Sequence, residues 1–116
     1  MPTQTDVGQW LTLPEAAERL GTDVGKVRQL LRDRRIVAFR RGEPARLEIP
    51  AAFVHDGDVL KGLPGLLTLL ADAGYDDDEA LHWLFTEDPS LPGTPVQALI
   101  ENRGGEVKRR AQALGF

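Results

Sequence analysis

The sequence contains no cysteine. Disulfides, thiolate-zinc sites and a cysteine nucleophile are therefore excluded, and the chain reads as one kept in a reducing compartment. Long apolar runs are also lacking, and none approaches the roughly 18 residues that would cross a bilayer. The first residues, Met1–Gly8, carry no basic charge and a single acid, Asp6, so they resemble neither a signal peptide nor a basic arm. A cytoplasmic protein is expected. Histidine is scarce, with only His55 and His82. His55 lies in His55-Asp56-Gly57-Asp58, which reads as a turn rather than a metal site, and His82 as a surface or partner-facing residue. Asp76-Asp77-Asp78-Glu79 lacks the spaced oxygen ligands and glycine of a calcium loop. Gly62-Leu63-Pro64-Gly65 lacks the Gly-Lys-Ser/Thr ending of a phosphate loop. No nucleophile–base pair stands out, so neither an enzyme nor a metal or cofactor is expected.

What is present is enough for a core. The 116 residues are 41% hydrophobic and 28% charged, the balance of a small soluble domain. Net charge is −4, but it is unevenly placed. From Arg19 to Arg46 nine basic residues meet only Asp23, Asp33 and Glu43, for a net +6, and the remainder of the chain carries −10. A phosphate backbone responds to that local field, not to the average.

The basic stretch coincides with a helix pattern. Trp10–Leu13 is extended, Pro14 suits a first helical position, and Glu15–Leu20 are helix formers with acids in the first turn. Gly21 ends that helix and Asp23 caps the next. In the second helix Val24, Val27, Leu30 and Leu31 form one apolar face. Lys26, Arg28, Gln29, Arg32 and Arg35 lie opposite. Ile36–Arg41 then reads as a strand, Gly42–Ala45 as a turn, and Arg46–Ile49 as a returning strand closed by Pro50. Helix, short turn, helix and hairpin make a helix-turn-helix with a wing, whose second helix would enter a major groove. Arginine suits guanine O6/N7, glutamine suits adenine N6/N7, and lysine more often meets phosphate. Lys26, Arg28, Gln29 and Arg32 are thus candidate groove residues. Arg34, Arg35, Arg40, Arg41 and Arg46 are candidate phosphate or wing contacts on double-stranded DNA.

After Gly62 the texture becomes helical and acidic. Helices are predicted from Pro64 to Gly74, over Glu79–Phe85, from a Thr94 cap and Pro95 through Ile100, and over Glu106–Leu114, with Gly104-Gly105 as the break before the last. Ala51–Asp58 is ambiguous, with Phe53 as a core anchor. The expected organisation is a disordered tail (1–9), a winged helix-turn-helix (10–50), a connector (51–62) and a helical C-terminal domain (63–116), mainly α overall.

Leu11–Gly21, with Val27-Arg28-Gln29-Leu30-Leu31 and Ile36–Gly42, resembles the winged helix-turn-helix of the MerR/excisionase superfamily. Lys61–Leu70, Trp83-Leu84-Phe85-Thr86 and Asp88-Pro89-Ser90-Leu91 extend the likeness to a family of small actinobacterial DNA-binding proteins. That resemblance implies a DNA-binding winged helix joined to a family-specific helical domain. It implies no operator and no individual contact. Residues Ala80–Leu84, Asp88–Leu91, Gly93–Leu99 and Gly105–Val107 are also similar to the toxin-binding domain of Xre/MbcA/ParS-type antitoxins. This second likeness implies a module for self-association into a homodimer or for gripping a protein partner. The same residues also suit a stabilising extension, with Trp83 in the core and Thr94 as a cap, but self-association is the preferred reading. A transcriptional regulator or nucleoid-associated factor is expected, with an antitoxin-like interaction module as the rival.

Overall fold

The computed structural model describes residues 7–114. Strand β1 (Trp10–Thr12) leads into helices α1 (Leu13–Leu20) and α2 (Val24–Arg32), followed by the hairpin of β2 (Phe39–Arg41) and β3 (Arg46–Pro50). A 3-10 turn (Ala51–Phe53) and a second hairpin, β4 (Val54–His55) and β5 (Asp58–Val59), lead to α3 (Leu63–Asp72), α4 (Asp77–Leu84), α5 (Pro95–Ile100) and α6 (Gly104–Ala113). The first three strands form an antiparallel sheet in the order β1-β3-β2. This is a mainly helical winged helix-turn-helix followed by a helical C-terminal half.

Each helix of the first half begins where its caps require. Thr12 accepts a bond from the N–H of Glu15, and the Glu15 carboxylate accepts one from the N–H of Thr12 at 2.8 Å, closing a capping box before Pro14. Gly21 ends α1 in the left-handed region (φ 68°), which costs glycine nothing. Asp23 caps α2 through the Lys26 N–H at 2.8 Å. The bond from the Thr12 N–H, then its hydroxyl, hold the Glu15 carboxyl below its ordinary value of 4.5, and Arg19 and Arg46 add to this. A depressed carboxyl stabilises the helix start fully above that ordinary value and loses the contribution as pH falls through the lowered one. NMR titration of the Glu15 carboxyl carbon should give a midpoint under 4.5. A midpoint at or above it would contradict the capping box.

One apolar cluster runs through both halves, from Val7, Leu11 and Ile49 through Phe53 and Leu60 to Leu84, Val96 and Val107. Phe53 is 1% exposed and its ring lies 5.9 Å from that of Phe85, joining the end of the sheet to α4. The segment expected as a connector is therefore packed: Phe53, Val54 and Leu60 are all core. Asp56 (φ 52°) and Gly57 (φ 77°) form the two-residue turn of the β4–β5 hairpin, as expected of an Asp-Gly pair.

Three expectations need correction. Of the tail, residues 1–6 lie outside the described residues, but Val7 is buried and the Gln9 carbonyl accepts a bond from the Ala51 N–H at 2.9 Å. The strand expected over Ile36–Arg41 is pairing-competent only from Phe39; Ile36 and Val37 are instead core residues of the connection from α2. Their β-branched character reflects burial rather than sheet pairing. Finally, Gly104 and Gly105 open α6 rather than break the chain. The reversal falls on Asn102 (φ 64°), a residue type that tolerates the left-handed region.

Candidate nucleic-acid interface

The second helix divides as its sequence period requires. Val27 and Leu30 are buried, Val24 and Leu31 half-buried, and Lys26, Arg28, Gln29 and Arg32 exposed. Arg35 is exposed just beyond the helix end. The two hairpin strands stand beside this helix, and between them lies a cleft of about 560 Å³. Arg28 from α2, Arg40 from β2 and Arg46 from β3 line it, with Thr12, Pro14, Val24, Ala45 and Leu47. Three guanidinium-bearing residues from three elements thus share one concavity. Among the described residues, the side chains of Lys26, Arg28, Arg35, Arg40 and Arg46 make no ion pair and no hydrogen bond. Their charge is available to an external anion.

The sheet register separates two neighbours that the sequence treats alike. Arg40 pairs with Leu47, and alternation puts both on the face that continues inward to Ile49 and Leu11. Arg41 belongs to the outer face with Phe39, Glu48, Trp10 and its own partner Arg46, which sits at the open end of the strand and still reaches the cleft. Its Nη1 lies 2.8 Å from Glu48 Oε1, and its guanidinium carbon lies 4.2 Å from the Trp10 ring centroid. Trp10 in turn meets Phe39 edge-on at 5.9 Å. A cation over an indole face with a carboxylate partner is held from both sides, so Arg41 braces the wing where Arg40 projects into the cleft.

Arg34 is also engaged. It leaves α2 with φ 57°, and its Nη2 lies 2.9 Å from Oδ1 of Asp77, the first residue of α4. Both side chains are close to half exposed, so the pair contributes little stability, about 0–1 kcal/mol. It links the end of α2 to the start of α4. Gln29 and Arg32 are tied to each other along the helix: Arg32 Nη2 donates to Gln29 Oε1 at 2.7 Å, and Gln29 Nε2 donates to the Asp33 carboxylate at 3.1 Å. Glutamine must leave Asp33 before it can meet a base edge.

Sequence reasoning assigned no role to Thr12 or Trp10. Thr12 lines the cleft as well as capping α1, and Trp10 carries Arg41. The period-2 rule would have separated Arg40 from Arg41, and an extended Trp10 beside a basic wing was the available signal for the platform. His82 is exposed on α4, and no group of three or more metal-binding side chains occurs among the described residues. Among these residues no helix is long and apolar enough to cross a membrane.

Two helices joined by a tight turn, with a hairpin completing a three-stranded sheet, define a winged helix-turn-helix protein. Residues 2–54 match the model of the winged helix-turn-helix domain of DNA-binding protein Rv2175c, and residues 60–115 match the Rv2175c C-terminal domain of unknown function. The chain is 46% identical over 117 aligned positions to DNA-binding protein Rv2175c of Mycobacterium tuberculosis, covering 90% of this chain and 79% of that protein. The NMR structure of Rv2175c superposes with a TM-score of 0.84 at 41% identity, over 100% of this chain and 87% of that one. The chain belongs to the Rv2175c family of winged-helix proteins. The likeness of the C-terminal half to antitoxin domains gains no support from these matches.

Proposed function

We propose that this protein binds duplex DNA by seating α2 in a major groove with the β2–β3 wing against the adjoining backbone. The observation that carries the reading is the cleft in which Arg28, Arg40 and Arg46 are exposed and form no ion pair, in a chain of net charge −4. Arg28, on the helix side of the cleft, is the base-reading residue, suited to bidentate pairing with guanine O6/N7. Arg40 and Arg46 take phosphates from the wing, Lys26 takes one near the start of α2, and Arg35 takes one beyond its end. Gln29 and Arg32 form a secondary reading pair, engaged when Asp33 releases the amide. Arg34 and Arg41 act at one remove, adding positive field while linking α2 to α4 and bracing the wing. The name of the relative and the membership of the chain in that family support the same reading.

A single helix-turn-helix covers little DNA, and paired half-sites are the usual remedy. The proposal therefore includes self-association through residues beyond 62, in a cytoplasmic regulator of transcription or a nucleoid-associated factor.

Fluorescence anisotropy of a labelled duplex against salt concentration tests the binding mode. With four to six phosphates neutralised, log affinity should fall against log salt with a slope of roughly −4 to −5. A flat dependence, or no complex with any duplex at low salt, would overturn the proposal.

A further inference from the structure

A second cavity, of about 520 Å³, lies in the C-terminal half between α3 and α6. Its floor is Leu66, Leu69, Leu99 and Val107, and its rim carries Lys61 and Lys108. Glycine lines it at positions 62, 65, 104 and 105, and a Cβ built on Gly65 meets nothing within 4 Å. The rim charge is unusual for its surroundings. Five basic residues follow Arg46, against twelve acidic ones. Arg103 and Arg110 are spent on the carbonyls of Leu91, Pro92 and Ser90, which hold the proline loop. Of the remaining three, Lys61 and Lys108 line the cavity and the Arg109 guanidinium lies beside Gly105 on its wall. Among the described residues none of the three forms an ion pair. Two of the three cations that the acidic half leaves without an ion pair therefore line one apolar concavity, and the third lies beside it.

We propose that this cavity binds an amphiphilic organic anion, a medium-length apolar chain ending in a carboxylate. Its volume falls within the range of small-molecule sites, which are mostly apolar with a few placed polar groups. The leucine floor suits an alkyl chain, and Lys61 and Lys108 suit the carboxylate. A duplex cannot enter a space of this size, and a phosphate alone would leave the floor unfilled.

The test titrates the full chain with decanoate, decan-1-ol and decyltrimethylammonium, followed by amide chemical shifts and calorimetry. Decanoate should bind saturably, shift Leu66, Leu69, Gly105 and Val107, and tighten about fourfold for each methylene added from octanoate upward. Lys61→Met with Lys108→Met should weaken decanoate at least tenfold and leave decan-1-ol unchanged. Gly65→Leu should abolish binding of both, and because it places a better helix former on an exposed position its melting temperature should not fall. The cation should not bind. No saturable decanoate binding, equal affinity for all three amphiphiles, shifts centred elsewhere, or binding untouched by Gly65→Leu in a folded protein would each overturn the proposal. No DNA is present, so the outcome is independent of the duplex-binding reading.

Discussion

Arg28→Ala is expected to weaken binding to a preferred duplex by about 1–3 kcal/mol, or roughly 5- to 150-fold, and to relax the preference at one base pair. Arg28 is exposed and makes no ion pair, so its removal deletes a contact to DNA and little else. The melting temperature should hold. Its neighbours across the cleft should behave differently. Arg40→Ala removes a phosphate contact, so affinity should fall alike for all duplexes and the salt slope should drop by about one. Arg41→Ala removes the cation from the Trp10 ring and the partner of Glu48. It should lower thermal stability, with a loss of about 0.5–1 kcal/mol for the exposed cation–π contact, and change the salt slope less than Arg40→Ala does. Equal slopes from the two wing variants would mean that the opposite faces assigned to these residues do not matter for binding. Uniform weakening from Arg28→Ala, with altered preference from Arg40→Ala, would transfer base reading to the wing.

Phe53→Ala should cost about 3–5 kcal/mol, the usual range for deleting a buried aromatic ring. Against the 5–15 kcal/mol by which most domains are stable, such a loss leaves a marginal fold. Phe53 is 1% exposed, terminates the sheet segment and packs against Phe85 at the end of α4. The loss should therefore be felt in both halves at once. Trp10 reports on the sheet and Trp83 on α4, so single-tryptophan variants separate the two signals. Urea midpoints for both should shift together. A shift confined to one tryptophan would show that the halves unfold independently and that the continuous core does not couple them.

Much of this architecture was legible because the local signals agree. Pro14 and Gly21 bracket α1, Asp23 and the Val24–Leu31 period define α2, and Thr94-Pro95 starts α5. Capping and periodicity act over three to four residues, which a sequence displays directly. The region from Ala51 to Val59 was not legible, since a three-residue 3-10 turn and two-residue strands are too short to show a period. The candidate interface was readable as a set of charges but not as an arrangement. Arg34 and Asp77 are 43 positions apart, and only folding brings them to 2.9 Å. Arg40 and Arg41 are adjacent, and only the pairing register sends them to opposite faces. Gly104-Gly105 is misleading because the reversal falls earlier, on Asn102, which takes the left-handed conformation before the Arg103 cap.

Backbone amide shifts during titration of the folded protein with a duplex it binds would locate the DNA-binding surface directly. The largest perturbations should fall on Gly25–Arg32 and on the wing from Phe39 to Leu47, with Arg28 and Arg40 among the strongest. Residues of α3 and α6 around the leucine-lined cavity should show much smaller changes at sub-stoichiometric duplex. Perturbations centred on residues 63–114, with α2 and the wing unmoved, would place the nucleic-acid surface on the other half of the molecule and contradict binding through α2 and the wing.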